Sequence, residues 1–187
     1  YEFSVLFGFA TDTYDILGLA KKNKTLKILS KDELSESLKT FLGKIKMSFP
    51  PYSSYKIKGK PLFEWAREGR LEEIEVPEKE REVYEIKLIG LRKITGEKIL
   101  VKINKKINKV KGDFRQQGIL NKWSEILEKE FHSDFQTVKL SIKCSSGTYI
   151  RSIAHNLGKG FGTGAVLLSL KRVRVGKFKV EKSRKLQ

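Results

Sequence analysis

The stretch Lys143–Gly158, KCSSGTYIRSIAHNLG, carries one residue out of keeping with its neighbours. Small residues suited to a turn lead into a predicted helix on which Ile150, Ile153, Ala154 and Leu157 fall on one apolar face. Arg151 stands within that helix's start. A guanidinium beside a core-forming stripe either snorkels out to water or waits for an anion. Two other stretches carry chemistry. Tyr52, Tyr55, Lys56, Lys58 and Lys60, in PPYSSYKIKGK, interleave stacking planes with cations, as single-stranded nucleic acid requires. The same residues also suit a solvated loop with incidental tyrosines. Lys171, Arg172, Arg174 and Lys177 read either as a phosphate-tracking stripe or as an edge strand guarded by charge.

The remaining candidates read as structural. GKGFGTGA, residues 158–165, follows a predicted helix rather than a strand and has no P-loop Lys-Ser/Thr pair, so it reads as a flexible turn and not a nucleotide cradle. Asp12 and Asp15 lie in GFATDTYDILG, where turn-stabilising roles are commonest for aspartate. Asp32 suits a helix's first turn, Asp113 and Asp134 sit in polar surroundings, and His155 reads as a surface residue. Cys144 is the single cysteine and His132 and His155 the only histidines, so neither a disulfide nor a metal site is expected, and a reducing cytoplasm is.

The elements that must position these groups follow from periodicity. Tyr1, Phe3, Val5 and Phe7 alternate as a half-buried strand. TLKILS reads as a short strand. Ser30 and Glu33 form a capping box before Leu34, Leu38, Phe41, Leu42 and Ile45 at helical spacing. Pro61 opens a short helix, PLFEWARE, closed by Gly69. YEIKLIGL and KILVKI read as paired strands about a Thr95-Gly96 turn, and Lys102–Lys111 as a solvated connection. Ile119, Leu120, Trp123, Ile126, Leu127 and Phe131 mark an amphipathic helix weakened by Gly118. FQTVKLSIKC is a strand, TGAVLLSL a short helix, and KRVRVGKFKV a last basic strand. Without regular βαβ alternation, the fold class is α+β, a mixed and largely antiparallel sheet flanked by helices.

The totals bound the partner. The 187 residues suffice for one domain with a core, and 39 basic against 22 acidic residues give a net charge of +17. Such an excess fits a polyanion first and a membrane surface second. No apolar run approaches the roughly 18 residues of a spanning helix, and the opening residues do not read as a signal peptide. The one methionine is Met47 and the sequence opens inside a strand, so we expect it to be a piece of a longer polypeptide.

Three segments in order resemble the TruB family of tRNA pseudouridine synthases. YEFSVLFGFATDTYDILG is similar to that family's strand and TDTxDxxG loop. PPYSSYKIKGKPLFEWAREG is similar to its PPxYSAxKxxGxxxYExAR element. CSSGTYIRSIAHNLGKGFGTGAVLLSLKRVRVGKF is similar to its CSxGTYIRxLxxxLGxxLGTGAxLxxLRRxxxGxF stretch. Departures are Ile16-Leu17 for small and acidic residues, Ser54-Tyr55 for alanine and a small apolar residue, and residues 104–135 in place of a tight hairpin. The family's PUA-type appendage does not follow within these residues.

The resemblance implies a pseudouridine synthase-like catalytic domain over residues 1–180, N-terminally incomplete, with a thumb-like segment near 46–80, a helical insertion near 104–135 and a tail at 181–187. It implies isomerisation of uridine in the T loop of tRNA by base flipping, without metal or organic cofactor, in a cytoplasmic monomer with no membrane partner. Tyr1 is implied to pack on the target base, and Arg151 to pair with the catalytic aspartate. Leu170 is implied to close the uracil pocket, Tyr149 to stand beside the arginine, and Asp15 to contact RNA. Tyr52, Lys56, Lys58, Lys60 and Arg172 complete the expected substrate-binding set. The nucleophile belongs to a GxLDPxAxGxL motif preceding the strand at Tyr1, and the 187 residues contain no such motif. A non-catalytic RNA-binding or RNA-folding module on the same scaffold is the alternative. A basic ribosome-associated structural protein, the third reading, requires the GTYIR helix to face solvent.

Overall fold

Alternation in the opening residues builds the strand on which the rest assembles. In the computed structural model, which describes residues 1–24 and 27–183, β1 (Glu2–Phe7) turns Phe3, Val5 and Phe7 to one face and Leu6 to the other. A small antiparallel pair, β2 (Phe9–Thr11) and β3 (Ala20–Lys22), brackets the Asp12–Asp15 loop. Thr25 and Leu26 of the predicted TLKILS strand lie outside the described residues, and 27–30 form no strand. Buried Leu29 instead exchanges backbone hydrogen bonds with the Gln136 side chain, at 2.9 and 2.7 Å.

Ser30 and Glu33 close the expected capping box on α1 (Lys31–Lys39), which buries Leu34 and Leu38. That helix stops before Phe41, and Ile45 lies on β4 (Gly43–Ser48). A two-residue pair, β5 (Lys56–Ile57) with β6 (Lys60–Pro61), leads into α2 (Leu62–Arg67) with Pro61 at its N-cap. The segment near 46–80, expected to be thumb-like, packs around its own cluster of Phe49, Leu62, Trp65 and Ile74.

The hairpin expected at Thr95-Gly96 is not formed. Residues Glu78–Thr95 are one long strand, β7, and Thr95 is the N-cap of α3 (Gly96–Ile107), its hydroxyl accepting from the Lys98 N–H. Ile99, Ile103 and Ile107 recur at four-residue spacing and are buried, so most of the expected solvated connection is helix. Gly96 is required where α3 starts: a Cβ there would lie 2.2 Å from the Glu130 carbonyl oxygen. The amphipathic helix is found as α4 (Gln116–Leu127), with Trp123 fully buried and Phe131 beyond its end.

β8 (Asp134–Cys144) pairs with β7 and β1, and α5 (Ile150–Gly160) follows the expected turn. The predicted TGAVLLSL helix is a strand, β9 (Ala165–Lys171), hydrogen-bonded to β1. The last basic segment is a two-residue hairpin, β10 (Arg174–Val175) with β11 (Phe178–Lys179).

The main sheet has the order β4-β7-β8-β1-β9, and every pairing in it is antiparallel. The α+β class is thus as expected, with antiparallel pairing throughout this sheet; the parallel contact is one isolated bridge, Asp15 to Leu167. Two cores form, one on each face. α1 and α5 cover Phe3, Val5, Val138, Leu140, Ala165 and Leu167. α3 and α4 cover Leu6, Phe135, Val166 and Leu168. Among the described residues no helix is long and apolar enough to cross a membrane.

Candidate active site

Arg151 occupies the first turn of α5, where the helix dipole opposes a positive charge. Backbone carbonyls offset that cost. Its Nη1 donates to the Thr13 carbonyl at 2.9 Å and its Nη2 to the Tyr52 carbonyl at 3.0 Å. The Asp15 carboxylate approaches to 3.7 Å, and both side chains are only about a fifth exposed, at 21% and 22%. The guanidinium therefore neither snorkels freely nor docks fully on a carboxylate. It ties together three segments distant in sequence: the Asp12–Asp15 loop, the thumb-like region and α5.

A cavity of about 280 Å³ opens beside it, lined by Tyr1, Tyr149, Arg151, Leu170 and Arg172 among others. Tyr1 is fixed by exchanging backbone hydrogen bonds with Ile142, at 2.7 and 2.9 Å, and the Arg172 guanidinium lies 5.0 Å from its ring centre. Leu170 projects from β9, opposite Phe3 of β1, and remains about half exposed. Five residues expected at the site thus surround one cavity. A Cβ on Gly158 would come within 2.1 Å of the Ala165 amide nitrogen, so only glycine lets α5 cross the start of β9 this closely.

Asp15 lies in an adjoining cavity of about 290 Å³ that shares Arg151 and Leu170 with the first. Its Oδ1 accepts from the Thr13 hydroxyl and the Leu17 N–H, both at 2.9 Å, leaving Oδ2 toward Arg151. Asp12 is committed elsewhere: Oδ1 accepts from the Leu19 N–H at 2.8 Å, and Oδ2 pairs with Arg115 at 2.8 Å. The Arg115 guanidinium also stacks over the Tyr52 ring at 4.7 Å. Burial, aided by Asp12, raises the Tyr52 phenol above its ordinary range.

The basic residues expected on a thumb are unequal. Lys56 and Lys58 are both exposed, Lys58 at a tight turn with φ of 50°. Lys60 folds back over the Trp65 ring and pairs with Glu68. Tyr55 stacks on Phe49 at 3.9 Å and packs against the cluster of the segment near 46–80, so one face of its ring is already taken. His155 is half-buried rather than a surface residue: it stacks on Tyr14 at 3.8 Å, and burial lowers its pKa.

Sequence reasoning missed two residues here, both from the stretch read as a connection and its continuation. Arg115 precedes α4 with a left-handed backbone, φ 69°. Lys106 reaches from α3 into the Asp15 cavity and donates to the Leu168 carbonyl at 2.6 Å. The isoleucine spacing across 99–107 was the signal that would have placed Lys106 on a helix. Among the described residues no group of three or more His, Cys, Asp or Glu is arranged to hold a metal.

Comparison with known proteins bears on this arrangement. A tRNA pseudouridine synthase B of Lactobacillus acidophilus is 32% identical over 187 residues, 100% of this chain and 50% of that protein. One from Caldanaerobacter subterraneus is 30% identical over the same length, again covering 50% of the relative. One from Trichormus variabilis is 32% identical over 183 residues, 98% of this chain and 48% of the relative. The chain spans about half the length of the curated relatives it matches. Among solved structures, a chain from the crystal structure of a Cbf5-Nop10-Gar1 complex aligns at 18% identity with a TM-score of 0.40, over 96% of this chain and 32% of that one. The family model described as TruB family pseudouridylate synthase (N terminal domain) matches residues 1–113, and the chain therefore belongs to the TruB family of pseudouridylate synthases.

Proposed function

We propose that the protein of which these residues form part isomerises uridine to pseudouridine in the T loop of tRNA, acting in the cytoplasm as a monomer. The observation that carries the reading is the setting of Arg151. A guanidinium offers five N–H donors, and two are taken by the Thr13 and Tyr52 carbonyls. Three remain beside a cavity lined by Tyr1 and Leu170, which suits a rigid fork for a carboxylate at the reacting base.

In this reading the target uridine leaves its stack, at a cost of a few kcal/mol, and is received by Tyr1 and Leu170. The glycosidic C1′–N1 bond breaks with an aspartate carboxylate assisting at the ribose, C1′ rejoins the uracil at C5, and the proton lost from C5 is balanced by one gained at N1. That aspartate is not one of the five in this sequence: Asp12 and Asp15 are engaged as described, and Asp32, Asp113 and Asp134 line neither cavity. Arg151 and Tyr1 are the catalytic pair present here. Asp15, Tyr149, Leu170 and Arg172 bind the substrate at the cavities, while Tyr52, Lys56, Lys58 and Lys60 grip the RNA from the thumb.

The test is isomerisation of a T-arm transcript by the full-length protein, read as release of label from the uracil carbon that becomes glycosidic. Arg151→Ala is expected to abolish release while leaving RNA affinity within a few-fold. Turnover at the unsubstituted rate would remove Arg151 from the mechanism. RNA binding without release by the unsubstituted protein would favour the non-catalytic RNA-binding module.

A further inference from the structure

Lys106 stands where a structural residue would not need to be charged. It lines a cavity together with Ile16, Leu17 and Leu168, an environment that a methionine or leucine would fill at no electrostatic cost. One of its three N–H donors satisfies the Leu168 carbonyl, and the ammonium lines the cavity that also holds Asp15 and Arg151. Burial disfavours its charged form and the nearby Lys102 adds repulsion, while Asp15 alone favours the charge. Asp15 is already shared with Arg151, Thr13 and the Leu17 N–H. The cavity wall therefore carries an excess of positive charge that an entering anion would relieve.

The rest of α3 supports the same conclusion. Spacings of four and three place Lys98, Lys102 and Lys105 on one exposed face, beside Lys106. Among the described residues none of these three pairs with a carboxylate. A row of free ammoniums thus leads along the helix to the cavity mouth, and its spacing suits a phosphodiester backbone rather than a single small anion.

We propose that Lys106, delivered by α3, binds a backbone phosphate of the RNA next to the flipped nucleotide, with Lys98, Lys102 and Lys105 continuing the contact along the strand. The helical insertion is then a working wall of the substrate cleft and not an appended surface feature. This rests on the RNA-modifying reading above, so the experiment separates the two.

The experiment is the salt dependence of T-arm hairpin binding by the full-length protein, with label release measured in parallel. Each neutralised phosphate contributes about 0.7–0.9 to the slope of log affinity against log salt. Lys106→Met is expected to lower the slope by about that amount, and Lys106→Arg to retain it. Lys106→Gln, neutral yet able to donate to the Leu168 carbonyl, gives the same reading if the methionine variant folds poorly. Lys39→Met, at a residue of α1 paired with Glu36, is expected to leave the slope unchanged. An unaltered slope in both neutral Lys106 variants overturns the proposal and leaves the family reaction standing. Failure of the unsubstituted protein to bind the hairpin overturns both.

Discussion

At the scale of single residues, the site is held by side chains whose partners lie far off in sequence, and α5 shows how. Arg151 faces the cavities, and one turn later His155 stacks flat on Tyr14, which itself adopts a left-handed backbone with φ of 65°. Burial is the main cause and Lys159 the lesser one that hold the imidazole below its ordinary pKa. Above the unfolded value of about 6.5 neither state is protonated there. As the pH falls below that value the unfolded chain takes up the proton first, so stability falls until the folded-state pKa is passed. His155→Phe keeps the stack and removes the titration. Its melting temperature is expected to drop less than that of the unsubstituted protein between about pH 7.5 and 5.5. Equal drops would show that the imidazole does not titrate differently in the two states. The same scale shows what was legible. Tyr1, Tyr149, Arg151, Leu170 and Arg172 were expected at the site and surround one cavity. Arg115 and Lys106 were not expected, because their roles depend on how two helices lie against the sheet.

At the scale of elements, the misread segments share a physical cause. Ala165–Leu168 is buried residue after residue because β9 is covered on both faces, by α5 on one and by α3 and α4 on the other. Covering both faces erases the alternation that marks a half-buried strand. In α3 the reverse occurred: KILVKI is a short run rich in β-branched residues that reads as a strand, while Ile99, Ile103 and Ile107 obey the helical period. The Ser30 capping box, by contrast, was legible since its partners are three residues apart. Arg115 joins these elements to the site: it holds a left-handed backbone before α4, pairs with Asp12 and covers Tyr52, whose carbonyl receives Arg151. Arg115→Gly separates backbone from side chain, because glycine adopts that conformation without strain. The variant is expected to melt close to the unsubstituted protein, yet to turn over about 10- to 100-fold more slowly as Tyr52 loses its anchor. Unchanged turnover would show that the arginine braces α4 and nothing else.

At the scale of the whole molecule, two regions differ in how firmly they are held. In the five-stranded sheet, β1 and the start of β9 are buried between helices on both faces, while β4 and much of β7 face solvent. The thumb-like region has a cluster of four buried residues and meets the sheet through β4. Its ties to the site include the Arg151 bond to the Tyr52 carbonyl, the Arg115 stack over the Tyr52 ring and the edge-on packing of Tyr149 against Phe49. Local opening follows the number of buried contacts, so the Leu62 and Phe63 amides, bonded to the Tyr55 and Ser53 carbonyls, should exchange hydrogen faster than those of β1. A hydrogen bond from a charged donor contributes about 1.5–3 kcal/mol. Arg151→Ala should therefore speed thumb exchange roughly 10- to 100-fold in the free protein while β1 is unaffected, and bound RNA should slow thumb exchange in the unsubstituted protein. Hydrogen–deuterium exchange measured by peptide mass reads all three. If thumb and β1 exchange together before and after the substitution, the two regions open as one unit, and Arg151 does not couple RNA grip to the reacting base.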